Sequence, residues 1–163
     1  VRAGQVDAIS NTDPIMTILE QKGEIKIISD TRTLKGTQEV FGGPMPAACL
    51  YTRLDFVKAN PNTCQALSNA IVRGLKWLQT AGPSDIIKTV PENYLLGDRA
   101  LYLAAFNKIR EAIGLDGMMP EEGPKTALRA LASFEPSVHP AKIDLAKTYT
   151  NEFARRSKDK YKA

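Results

Sequence analysis

The stretch VDAISNTDPIMTILEQKGEIKIIS, residues 6–29, decides the reading of the fold. Val6–Ser10 is a short strand candidate. Asn11, Thr12, Asp13 and Pro14 follow. Thr12 or Asp13 can cap a helix, because a side-chain oxygen there satisfies N–H groups that have no partner in the first turn. Pro14 suits the first helical position, where its missing N–H costs nothing. Ile15, Met16, Ile18 and Leu19 then give a helical face that ends before Gly23, a residue able to close a helix in the left-handed conformation. Glu24–Ser29 carries Ile25, Ile27 and Ile28 and reads as a second strand. Strand, helix and strand in this order predict a βαβ unit, with Ile15–Lys22 as its helix.

Downstream, Asp30–Pro46 has no helical period and holds Gly36, Gly42, Gly43, Pro44 and Pro46. It reads as a long connector of the functional or hinge-like kind. Ala47–Thr52 is the third strand candidate, expected in a different sheet from the first two. The remainder is helical. Leu54–Ala59 is a short helix. Asn60-Pro61 starts a long one with Cys64, Leu67, Ile71, Leu75 and Leu78 every three or four residues, stopping at Gly82-Pro83. Pro83–Val90 follows, then Asp98–Ile113, a loop over Leu115–Gly123, and the helices Pro124–Ser133 and Leu145–Lys158. Three strands before about six helices is lopsided. The expectation is that the helices lie on a sheet supplied from elsewhere, and that the apolar faces of Pro61–Thr80 and Asp98–Ile113 are partly uncovered in this chain. Val1 in place of Met, and an opening that reads like a domain interior, predict that a signal, a lobe or both precede it.

The 163 residues are 43% hydrophobic and 25% charged, the balance of a globular chain, and no apolar run reaches the roughly 20 residues of a membrane helix. The net charge of +4 resides in the tail, where Arg155, Arg156, Lys158, Lys160 and Lys162 face only Asp159. A basic tail of this kind is a solvated helix face and argues against a nucleic-acid partner. Cys49, Cys64 and His139 are too few for a usual metal site, so no metal and no redox cofactor is expected. The cysteines either bridge in an oxidising compartment or are buried thiols, and their apolar settings favour the latter. His139, between Pro136 and Pro140, reads as an ordinary loop histidine, and no nucleophile–base pair is legible.

Five segments carry a family resemblance: AGQVDAISNTDPIMTILEQKG, LYTRLDFVKANPNTCQALSNAIVRGLKWLQ, TVPENYLLGDRALY, LDGMMPEEG and IDLAKTYTNEFA, in this order along nearly the whole chain. Together they resemble the ABC-type substrate-binding proteins of the nitrate/sulfonate/taurine class. The resemblance implies an α/β, two-lobed, periplasmic-binding-protein-like (type II) fold with a helix-rich C-terminal half. Residues 1–33 would end lobe two, 34–46 would cross between lobes, and 47–163 would complete lobe one. It implies capture of a small polar solute, sulfonate-, nitrate-, taurine- or pyrimidine-like, in an inter-lobe cleft, without catalysis. The implied partners are an ABC permease with its ATPase, and the missing N-terminal part of the chain's own lobe. The implied location is periplasmic or otherwise extracytoplasmic. Pyrimidine-precursor synthases of thiamine biosynthesis resemble the same class, but they carry a cysteine-rich run where GGPMPAACLY has Cys49 alone. The effector-sensing domain of a transcription regulator is a third reading.

Ligands of open α/β sheets sit beyond strand ends, beside the helix N-termini that follow. That places Ser10, Asn11, Thr12 and Asp13 as candidate ligand-binding residues, with plain helix capping as the alternative for Thr12 and Asp13. Asp13 would repel a bare anion and accept a hydrogen bond from an amino group. Gly42, Gly43 and Pro44 would let backbone approach a ligand, or else serve turn geometry alone. Tyr51 lines the cleft or packs in the core, and the core is favoured.

Overall fold

The computed structural model describes residues 1–95 and 97–163; Leu96, inside one of the resemblance segments, lies outside the described residues. The chain is helical. Helices α1 (Ile15–Gln21), α2 (Leu34–Phe41), α3 (Leu54–Ala59), α4 (Pro61–Thr80), α5 (Pro83–Thr89), α6 (Arg99–Ile109), α7 (Gly123–Ala132) and α8 (Glu152–Tyr161) are joined by irregular segments and short 3₁₀ turns.

Where local chemistry marks a helix, the helix forms. Gly23 takes φ +66° and closes α1, its N–H bonding to Glu20 O while Glu24 N–H reaches Leu19 O. These are the paired bonds that satisfy last-turn carbonyls. Pro61–Thr80 appears with the expected bounds. Asn60 faces backwards, its side-chain amide donating to Phe56 O at the end of α3. Gly82 N–H is held by the Asp85 carboxylate at the start of α5, and Asp98 accepts from Leu101 N–H at the start of α6.

The α/β, two-lobed type II expectation is overturned. Among the described residues there is no strand and no sheet. Val6–Ser10, Glu24–Ser29 and Ala47–Thr52 run without a ladder, and Ile28 is 90% exposed. Their composition suits a pleated, half-buried surface, but that preference is realised only against a neighbouring strand. Two further corrections concern helices. The connector expected over Asp30–Pro46 contains α2. The last helix, expected over Leu145–Lys158, is a 3₁₀ turn at Leu145–Lys147 and then α8. Between them Asn151 is clamped to Met119, accepting from its N–H at 2.8 Å and donating to its carbonyl at 3.0 Å, which fixes a break that no helical period predicts.

The chain forms two compact units. Unit 1 comprises Val1–Gly36 and Ala81–Ala112. Here α1 packs on α6, and Leu19, Ala81, Ile86, Leu95, Ala105 and Phe106 are buried. Arg110 donates to Ala81 O at 2.9 Å and lies over the Phe106 ring. Unit 2 comprises Thr37–Thr80 and Ile113–Ala163. Its main packing is α4 against α8, with α3 on α4 and α7 on the turn at Pro140–Lys142. This division cuts the chain differently from segments 1–33, 34–46 and 47–163, since residues 81–112 belong with the N-terminal unit.

Candidate functional site

In unit 1 the stretch Ser10–Asp13 leads into α1. Ser10, Asn11 and Thr12 are exposed, and Thr12 N–H bonds to the Asn11 side chain at 2.8 Å. Asp13 turns inward. Its Oδ1 accepts from Thr17 N–H at 2.9 Å and from the Thr17 hydroxyl at 2.7 Å, so it satisfies a first-turn N–H of α1 from one position before the N-cap, which is Pro14 rather than Thr12 or Asp13. Its Oδ2 accepts from Arg32 Nη1 at 3.2 Å. The Asp13 side chain is 3% exposed and that of Arg32 15%. Both carboxylate oxygens are therefore engaged inside the protein.

Arg32 is the hub that sequence reading missed. Its Nε and Nη2 grip Asp30 at 2.8 and 2.6 Å, a bidentate pairing, and Nη2 lies 3.5 Å from Glu20. Lys108, from α6, donates to Glu20 at 2.6 Å. The Lys108 hydrogen bond holds the Glu20 carboxyl below its ordinary range, and the Arg32 hydrogen bond does the same for Asp30. Asp30, with Asp13, raises the Arg32 guanidinium above its usual value, so it stays charged. Asp30-x-Arg32 is local enough to have been noticed, because Asp30 also accepts from Arg32 N–H at 3.0 Å. The contacts of Arg32 to Asp13 and Glu20, and of Glu20 to Lys108, span too many residues to be read from spacing.

Gly42, Gly43, Pro44 and Tyr51 belong to unit 2. Gly42 has φ +70°, and its carbonyl accepts from Arg129 on α7. Gly43 is buried, and a Cβ there would stand 2.5 Å from the Thr126 hydroxyl. The two glycines thus admit α7 to the backbone, which is a packing role. Pro44 is half-buried. Tyr51 is 88% exposed, against the expectation that it packs in the core. Cys49 is exposed and Cys64 buried, both as free thiols, so the expected pair of buried thiols holds for Cys64 alone. His139 is an exposed loop residue.

A shallow groove of about 390 Å³ also lies on unit 2, lined by Arg73, Lys76, Trp77, Gln79, Thr80 and Tyr161. Lys76 donates to the carbonyls of Tyr161 and Lys162 at 2.5 and 3.2 Å, and so caps the end of α8. Arg73 lies over the Tyr161 ring. These groups serve the α4–α8 junction. Among the described residues, no group of three or more His, Cys, Asp or Glu side chains is arranged to hold a metal. None of the described helices is long and apolar enough to cross a membrane.

The chain is similar to a solved protein from Bordetella bronchiseptica RB50. The two are 59% identical, with a TM-score of 0.94 over 99% of this chain and 51% of the Bordetella chain. The matched fold is thus shared almost throughout, and this chain spans about half the length of the Bordetella protein. No family model and no curated protein matches. Over nearly all of this chain's length, then, the helices and turns described above have a close counterpart in an experimental structure.

Proposed function

We propose that the chain contributes to capture of a small polar solute, as the solute-binding component of an ABC uptake system. One structural observation supports this reading: Ser10, Asn11 and Thr12 form an exposed polar lip whose inner end is fixed through Asp13, Thr17 and Arg32. A lip of hydroxyl and amide groups anchored to a helix start is pre-ordered, so a solute binding there meets little ordering cost. The five sequence segments resembling that class support the uptake role. Asp13 serves as the anchor of the lip, and direct recognition falls to Ser10, Asn11 and Thr12.

The test is calorimetric titration of the polypeptide carrying this chain with taurine, an aliphatic sulfonate, nitrate and an aminopyrimidine. One of the four should bind saturably. Replacing Ser10, Asn11 and Thr12 together by Ala should weaken that binding by at least about tenfold, since each lost hydrogen bond contributes roughly 1 kcal/mol. Binding of none of the four, or binding indifferent to the triple substitution, would defeat the proposal.

A further inference from the structure

Helix α4 buries Cys64 and Val72 and brings half-buried Gln65 and Asn69 against α8. Gln65 donates to Asn69, to Phe153 O and to the Ser157 hydroxyl, and Ser157, fully buried on α8, donates in turn to Asn69 at 2.8 Å. The opposite stripe of α4, Leu67, Ala70, Ile71 and Gly74, faces outward. Leu67 is 45% and Ile71 52% exposed, and a Cβ at Gly74 would meet nothing within 4 Å. An amphipathic helix ordinarily buries its whole apolar stripe, whereas α4 buries Cys64 and Val72 and leaves Leu67 and Ile71 outside. Exposed Leu54 and Phe56 of α3 and Leu50 and Tyr51 of the preceding segment add to the uncovered apolar surface of unit 2. Residues 47–52 lie in neither helix nor strand, and among the described residues no backbone hydrogen bond joins them to another segment.

Unit 2 is also short of core. Although it is the larger unit, its buried hydrophobic residues among those described are Cys64 and Val72 alone. Large apolar side chains left exposed in this number, on two helices that touch, mark a candidate interaction surface. The Bordetella relative indicates what covers it, because that chain matches this one at 59% identity over nearly its full length and is about twice as long.

We propose that the outer stripe of α4, together with α3 and residues 47–52, is the docking surface for a polypeptide corresponding to the half of the Bordetella chain outside the match. The occupant supplies apolar side chains against Leu67 and Ile71 and backbone hydrogen-bonding groups to the open segment at 47–52. This is independent of the solute-binding proposal.

The test is co-expression of this chain with a separate polypeptide comprising the unmatched half of the Bordetella protein. Light scattering after size exclusion should show a one-to-one complex. Ile71→Lys and Leu67→Glu, each with unchanged helical circular dichroism, should weaken it by at least about tenfold, as substitution at the centre of an apolar interface does. Lys142→Glu, on the exposed turn after α7, should leave it unchanged. Alkylation of the exposed native Cys49 should slow at least about tenfold in the complex, a readout that needs no substitution. The proposal is overturned by failure to form a complex, by a complex indifferent to Ile71→Lys, by unaltered Cys49 alkylation, or by a homodimer of this chain that Ile71→Lys dissolves.

Discussion

The two units are stabilised in different ways. Among the described residues unit 1 buries six hydrophobic side chains, and it fastens α1 to α6 with an ionic cluster, Asp13, Arg32, Asp30, Glu20 and Lys108. Among the described residues unit 2 buries two, links α4 to α8 through the amide and hydroxyl network of Gln65, Asn69 and Ser157, and leaves Leu50, Tyr51, Leu54, Leu67, Ile71 and Phe134 exposed, while unit 1 exposes Val6, Ile9, Ile15, Ile28, Leu34 and Tyr94. Hydrophobic burial is the dominant favourable contribution to folding, so the unit with less of it depends more on whatever covers its surface. Unit 1 instead depends on keeping its charges paired.

That contrast can be broken most sharply at Arg32. Arg32→Met leaves the nearly buried Asp13 carboxylate without its cation, and stability should fall by about 3 kcal/mol or more, as when one partner of a buried pair is removed. Amide exchange should show the loss in α1 and leave α4 unchanged. Protection in α1 equal to wild type would mean the cluster is ornamental. The corresponding cut in unit 2 is Val72→Ala. Val72 is fully buried and touches the backbone turn at Gly117, where a Cβ would stand 3.0 Å from Cγ2. Truncation there should cost roughly 2 kcal/mol, read in the fluorescence of the single Trp77 and independent of pH.

Acid should separate the units further. Glu20 and Asp30 have folded pKa values below their ordinary 4.5 and 3.8, so each contributes stability that is fully present above those values. The contribution is lost as pH falls through the lowered folded values. Unit 2 has a partly buried counterpart in Asp116, in addition to Asp55 and Glu135, whose carboxyls the Arg53 guanidinium and the Ser137 hydroxyl hold down. Burial pushes the Asp116 carboxyl up, but the Lys158 ammonium and the Met118 N–H outweigh it and the net direction is down. Exchange measured from pH 6 to pH 3 should therefore show α1 losing protection before α4, and equal loss in both would remove the distinction. The smallest effect is expected at Arg156, whose exposed pairing with Glu152 lies within one face of α8. Arg156→Ala should change the unfolding midpoint by an amount equivalent to about 0.3 kcal/mol, a change reduced further by salt.

Ser10–Asp13 were legible as a candidate site because cap chemistry is local: a short polar side chain followed by proline and an apolar face announces a helix start. The roles within the site were not. That Asp13 turns inward to Thr17 and Arg32, and that the polar lip is left to its three neighbours, depends on a guanidinium nineteen positions away. Gly42 and Gly43 were legible as places of close backbone approach. What approaches is α7, from more than eighty positions downstream.

The sequence alone determined those elements whose bonds close within a few residues. Pro61–Thr80 follows from the Asn60-Pro61 entry and the Gly82-Pro83 exit, α3 and α5 from their flanks, and the end of α1 from Gly23. Only the tertiary structure decided the rest. It left Val6–Ser10, Glu24–Ser29 and Ala47–Thr52 without ladders, although their composition is that of strands, because a strand exists only through a partner and composition names none. It folded α2 inside an apparent connector, broke the last helix at Asn151 through a clamp to Met119, and set Gln65 of α4 against Ser157. Each of these rests on contacts between residues distant in the chain, whose energies a local pattern does not contain.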